Sequence, residues 1–209
     1  MTRRAGVLGA VFCLLACAQG AQRPIDPVLA YEAQIARERT PTCVPAQTVG
    51  VAFDGNRRDL RQLLHESRTR PPSNPRDAQI FRSSLESAQR PYFEWRQPAA
   101  PGGQREGLPA LLDPATGAQL SAAVQRIIAT SANATAPEEL GPIPAPLRPH
   151  GLPGCNAALT LTAPARAGET AFVETRYGCG DLCGNGMLYA LRNDDSGWRL
   201  IAIAFTWVS

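Results

Sequence analysis

Cysteine placement constrains this chain more than any other feature. Six cysteines are spread over 209 residues. Two of them, Cys13 and Cys17, lie inside an N-terminal segment with the marks of an export signal. Thr2-Arg3-Arg4 is a short basic region, and the fourteen residues Ala5 to Ala18 are apolar or small, the length of a signal-peptide core and too short to span a bilayer. Removal of residues 1–18 leaves Cys43, Cys155, Cys179 and Cys183, an even number in an oxidising compartment, which reads as two disulfides with three possible connectivities. Proximity favours Cys179–Cys183 and so leaves Cys43–Cys155. In the loop-entropy picture the long bridge contributes about 5 kcal/mol and the short one about 2 kcal/mol, so the first joins two halves of the chain and the second shapes a turn. A zinc site would call for C-x2-C pairs, whereas the close pair here is C-x3-C and neither His65 nor His150 is near a cysteine. The same three-residue spacing argues against a catalytic dithiol.

Leu14-Leu15-Ala16-Cys17 resembles the bacterial lipobox, in which the cysteine is acylated and becomes the first residue of the mature protein. That resemblance makes Cys17 the lipid anchor and places the protein in the periplasm or at the outer membrane. Ala18-Gln19-Gly20-Ala21 also suits an ordinary signal peptidase, which would release a soluble secreted protein. Either cleavage removes Arg3 and Arg4, so the formal charge falls from +3 to +1. All 21 basic residues are arginine. Ten arginines and five acids fall between residues 57 and 105, but they interleave as a solvated helix surface does. Nucleic acid is therefore not an expected partner, and membrane contact is expected only through the N-terminal lipid.

Periodicity divides the mature chain. Residues 22–130 read as a helical part with short strands. Asp26-Pro27 opens a helix with Val28, Tyr31 and Ile35 on one side, ending before Pro41; Thr48–Phe53 alternates like a strand; Leu60, Leu63 and Leu64 line a helix over about 57–67. Asn74-Pro75 caps another, with Ile80, Phe81, Leu85 and Ala88 inward. Tyr92–Trp95 and Leu108–Asp113 look extended, and Leu120, Val124, Ile127 and Ile128 form the clearest helical stripe. Residues 131–154 hold six prolines in 24 positions and read as a connector, while 155–209 carry four β-rich runs joined by short turns. The expected fold is α+β: N-terminal amphipathic helices packed on a C-terminal four-stranded antiparallel meander. Both parities of the last run are apolar, so it should be covered on both faces.

Cys179-Gly-Asp-Leu-Cys183-Gly-Asn-Gly186, the Leu188–Leu191 run, Gly197-Trp198-Arg199 and the closing Trp207-Val208-Ser209 resemble small, uncharacterised, exported bacterial proteins of the lipoprotein kind, in which a CGxLCGxG, GxW and WVS meander ends the chain. The resemblance covers about the last forty residues and implies compartment and architecture without assigning an activity. Gly178, Gly180, Gly184 and Gly186 are expected to supply positive φ around the sulfurs.

No G-x-S-x-G, H-E-x-x-H or G-x-G-x-x-G context occurs, and the two histidines read as a helix-surface residue and a connector residue. Carboxylate pairs could be drawn from Glu94, Asp113, Glu174 or Asp181. The pattern thus predicts neither catalytic residue, cofactor nor metal. It points to an envelope module that binds a protein, peptide or glycan, in one version an inhibitor, with a cell-envelope hydrolase as the alternative. In the run Thr170–Tyr177, alternation puts Phe172, Glu174 and Arg176 on one face, expected to be outward and to form a contact surface.

Overall fold

The computed structural model describes residues 22–36, 41–99, 108–130, 137–180 and 183–208. Cys17, Asp181 and the export segment lie outside the described residues. The fold is α+β: helices α1 (Ile25–Ala36), α2 (Asp54–Thr69), α3 (Pro75–Gln89) and α4 (Pro114–Ala129), with strands β1 (Thr42–Val44), β2 (Arg148–Pro149), β3 (Ala157–Leu161), β4 (Ala165–Ala167), β5 (Thr170–Gly178), β6 (Gly184–Asp194) and β7 (Gly197–Val208).

One mixed sheet runs β2-β1-β3-β5-β6-β7, with β4 also paired to β5. This is wider than a four-stranded antiparallel meander. Antiparallel pairing joins β3, β5, β6 and β7, but β1 adds to β3 in parallel and β2 adds to β1 in parallel. The sequence hides both additions, because a three-residue strand between Pro41 and Pro45 and a two-residue strand containing Pro149 are too short to alternate. Residues 137–154 are accordingly stitched to the body: the Thr48 amide donates to Glu138 O at 2.9 Å, and Leu140 and Leu147 are buried.

Each face of the sheet carries its own core. On one, Val28, Leu29 and Ile35 of α1 pack on Leu159, Val173, Tyr189, Leu191 and Ile203. A carboxylate is buried within this apolar layer. Glu32 accepts from Thr175 Oγ1 at 2.9 Å and from Tyr189 OH at 2.5 Å, and burial beside that carboxylate pushes the Tyr189 hydroxyl well above its usual range. On the other face, the stripe Leu120, Val124, Ile127 and Ile128 of α4 lies over Phe172, Leu188 and the small residues Ala190, Ala202 and Ala204. Asp113 caps α4 by accepting from the Thr116 amide at 2.9 Å, and those bonds hold its carboxyl below the usual range.

Helices α2 and α3 are less covered than their periodicity implies. Arg57 is the buried residue of α2 and Ala88 that of α3. Ile80, expected inward, is 57% exposed, and Leu64 is exposed as well. The two helices pack chiefly on each other, so their apolar stripes have little else to cover them. The expected strand over 48–53 is instead a turn in which isolated bridges at Gln47 and Val51 replace a ladder. Tyr92–Trp95 is likewise irregular: Tyr92 is exposed, Trp95 packs on Phe172, and Arg96 exchanges backbone bonds of 2.8 and 2.9 Å with Ile203 at the outer edge of β7.

Two disulfides close the frame. Cys43–Cys155 ties β1 to the approach of β3 with a Cα separation of 5.6 Å, and Cys179–Cys183 closes the β5–β6 connection at 5.2 Å. Both suit an oxidising compartment. No helix of the described residues is long and apolar enough to cross a membrane. The chain entering α1 is clamped: Arg23 donates to Glu139 O and Leu140 O, both at 2.6 Å, and pairs with Asp26 at 2.8 Å. Gln22 lies against Gly197 at the start of β7.

Candidate functional site

Alternation along β5 does place Phe172, Glu174 and Arg176 on one face, but that face changes character within five residues. Phe172 is fully buried, which corrects its expected role as an outward contact. Its ring meets Phe53 edge-on at 5.7 Å and Trp95 at 6.1 Å beneath α4. Glu174 is half-buried beyond the Phe53–Trp95–Phe172 cluster, and Arg176 is exposed. That cluster covers only one end of the face, which a period of two cannot reveal.

Where cover gives way, a cleft of about 280 Å³ opens between the first turn of α2 and the sheet, lined by Asp54, Arg58, Thr160, Thr162, Glu174 and Arg176 among others. The approach to α2 builds its wall. The Ala52 amide donates to Ala163 O and the Ala163 amide to Gly50 O, fastening the turn to the end of β3. Phe53, at the cap position of α2, has φ of 66°, a left-handed conformation unusual for a residue with a large side chain. Its ring, wedged against Phe93 and Phe172, holds it there.

The helix has no capping side chain of its own. Glu174 supplies one from the sheet, Oε1 accepting from the Phe53 amide at 3.3 Å. Burial nevertheless raises the Glu174 carboxyl above its usual range; the nearby Asp54 charge adds to that rise, while the Phe53 N–H, Arg176 and Arg57 oppose it. Asp54 is itself engaged, accepting from the Val51 amide at 3.4 Å and pairing with Arg57 at 3.2 Å. Arg57 is buried and donates to Ala52 O at 2.9 Å, leaving Nε without a partner. Thr162 Oγ1 accepts from the Glu174 amide at 2.9 Å and so fixes the backbone at the carboxylate. Neither Arg58 nor Arg176 makes an ion pair within 4 Å among the described residues.

Beyond the cleft the same face continues as open sheet. In register, Thr160, Arg176, Gly186 and Trp207 form one row across four strands. Simple alternation would put Trp207 on the face of Ile203, but an extra residue, Thr206, bulges between the pairs Gly186–Trp207 and Met187–Phe205 and turns Trp207 to the cleft side. Its indole lies across β6. A Cβ on Gly186 would fall on Nε1 and Cδ1 of Trp207, and one on Gly184 would come within 2.9 and 3.1 Å of its six-membered ring. Of the four glycines around the sulfurs only Gly180 has positive φ; Gly184 and Gly186 serve instead as a floor for the indole, a correction to their expected conformational role. Trp207 remains 41% exposed, against 5% for Trp95 and 7% for Trp198.

The other candidates do not converge. His65 and His150 are both exposed, and neither lines the cleft. Glu94 pairs with its neighbour Arg96, and Asp113 serves as a helix cap. No group of three metal-ligating side chains occurs among the described residues. A larger, open groove of about 550 Å³ lies between α2 and α3, lined by Asn56, Asp59, Gln62 and three serines. It lacks an aromatic side chain and an arginine, whereas the sheet cleft has cations, a half-buried carboxyl and a neighbouring indole. Trp207 and Arg58 are the site residues that sequence reasoning missed; the paired glycines two apart in β6, opposite a tryptophan near the end of the next strand, were the available signal. No protein-family model, curated protein or solved structure matches the chain.

Proposed function

We propose that the chain is an exported envelope protein, anchored through a lipid on Cys17, that acts by recognition rather than turnover. Its contact site is the cleft beside α2 with the open sheet face beyond it. One observation carries the reading: Arg176 and the exposed Trp207 flank Gly186 in a single cross-strand row, beside a cleft whose acids are already engaged within the protein. A solvent-facing indole next to unpaired guanidinium groups resembles the aromatic and arginine anchors that dominate binding surfaces. The inhibitor version belongs to the same reading, with an envelope enzyme as partner. The Cys179–Cys183 turn with β6 and β7 is the part that carries the resemblance to small exported bacterial proteins.

A second reading, the envelope hydrolase, draws support from Glu174, a carboxyl raised by burial beside Asp54, as an acid/base pair requires. One experiment separates the two. Wild type and an Arg58→Ala/Arg176→Ala/Trp207→Ala variant are sedimented with outer-membrane and cell-wall fractions, and soluble fragments released from the wall are quantified in parallel. Recognition predicts co-sedimentation lost in the variant with no fragment release. Fragment release that disappears in Glu174→Gln would transfer the assignment to the hydrolase.

A further inference from the structure

The chemistry of this face is specific enough to name a class of ligand, on the premise that the cleft is a recognition site. Three features combine. Trp207 offers a flat apolar surface: its inner side rests on Gly184 and Gly186, and no larger residue at either position would let it lie so low. Such a surface accepts the C–H side of a ring rather than a flexible chain. Arg176 lies two strands away in the same row, on the order of 10 Å across the sheet, and Arg58 faces the cleft from the first turn of α2. Both guanidinium groups present forked donors matched to carboxylate oxygens. The cleft's own acids offset them only in part: Asp54 is paired with Arg57, and the single charge of Glu174, which Arg176 feels, faces two guanidinium groups. The exposed charge of the site is therefore positive, and the half-buried Thr160 stands in the row between cleft and sheet with a hydroxyl able to donate or accept.

We infer that the site takes an acidic saccharide, with a pyranose ring stacked on Trp207 and a carboxylate held by Arg176 and Arg58. A neutral glycan would leave both guanidinium groups unmet, and an acidic peptide would leave the indole without a ring-sized partner.

The test titrates the mature, oxidised protein with tri-galacturonate and with the disaccharide N-acetylglucosaminyl-N-acetylmuramic acid, each as free acid and as carboxyl methyl ester, following tryptophan emission and calorimetric heat. Trp207 is the exposed tryptophan among the three, so ring stacking should shift its emission to the blue. Saturable binding of at least one free acid is expected, at least tenfold weaker for its ester. Trp207→Ala should remove the emission change and weaken binding at least tenfold. Arg58→Ala/Arg176→Ala alters only exposed side chains and should weaken the acid at least tenfold while leaving the ester unchanged, with near-ultraviolet circular dichroism confirming the fold. Absence of saturable binding by both acids, equal affinity for acid and ester, or indifference to both variants would overturn the inference. If neither acid binds while the triple variant still loses co-sedimentation with envelope fractions, the saccharide falls and recognition by another partner stands.

Discussion

Replacing Gly186 with alanine should destabilise the protein, although the general expectation points the other way. In a strand, Gly→Ala removes unfolded-state freedom and stabilises by about 0.5–1 kcal/mol when the backbone is compatible. Gly186 is outside the left-handed region, so nothing in its own conformation opposes the change. The opposition comes from Trp207, whose Nε1 and Cδ1 occupy the place of the new methyl, and from Thr206 Oγ1, which lies equally close to it. The indole must lift. With 41% of the residue exposed, a tryptophan shields roughly 140 Å² here, worth about 3.5 kcal/mol as an upper bound at about 25 cal/mol per Å². Losing half to two-thirds of that, less the entropic gain, leaves a net loss of about 1–2 kcal/mol, within the usual range for overpacking. Urea unfolding followed by far-ultraviolet circular dichroism measures it. In a Thr206→Ala/Trp207→Ala background, which clears both obstructing side chains, the same substitution should revert to neutral or stabilising, a coupling of about 1.5–3 kcal/mol in the mutant cycle. A Gly186→Ala protein as stable as wild type, or a coupling near zero, would refute the floor-and-indole arrangement.

Opening the Cys43–Cys155 bridge by a double serine variant should cost up to about 5 kcal/mol, against about 2 kcal/mol for Cys179–Cys183, because the closed loops span 112 and 4 residues; denaturant midpoints of the two variants should fall in that order. Glu174 titrates higher folded than unfolded, so between its ordinary value of 4.5 and the raised one the native state holds more protons and stability falls as pH rises. Melting temperatures from about pH 4 to about pH 8 should show that decline in wild type and not in Glu174→Gln; parallel profiles would remove the buried carboxyl as the cause. Phe53→Ala should cost about 3–5 kcal/mol, since it opens a cavity against Phe93 and Phe172 while leaving the left-handed backbone; Phe53→Gly, which relieves the backbone and opens a slightly larger cavity, should be no worse, and a much less stable glycine variant would show that φ of 66° carries no strain.

What could be read from the sequence is what local chemistry decides. The Asn74-Pro75 start of α3 is a capping geometry, with the Asn74 side chain accepting from the Asp77 amide at 2.9 Å, and the α4 stripe is buried at every expected position. The disulfide pairing followed from proximity, which singled out Cys179–Cys183 among three possible connectivities. Features set by distant partners were hidden. Phe172 and Arg176 share a parity, yet one is core and the other exposed because Phe53 and Trp95 pack over the Phe172 end of β5. One bulged residue, Thr206, decides the face on which Trp207 lies, and no period of two registers it. Val49, Val51 and Phe53 alternate as a strand would, but Phe53 turns left-handed to start α2, and Phe93, Phe172 and Glu174, far along the chain, stabilise that choice.

The clamp at Gln22 and Arg23 has an orientational consequence. If Cys17 carries a lipid, four residues separate it from Gln22, five Cα steps that make a tether of no more than about 18 Å. Gln22 is seated against Gly197, where β7 begins, while Trp207 stands near its other end, roughly 30 Å further along the strand. A lipidated protein would therefore stand on the bilayer with β7 as its upright, the N-terminal end at the foot and the indole, Arg176 and the cleft at the head. Lengthening the tether would restore freedom to tumble without touching the binding face, so capture of ligands displayed above the membrane would become a question of leash length rather than of affinity.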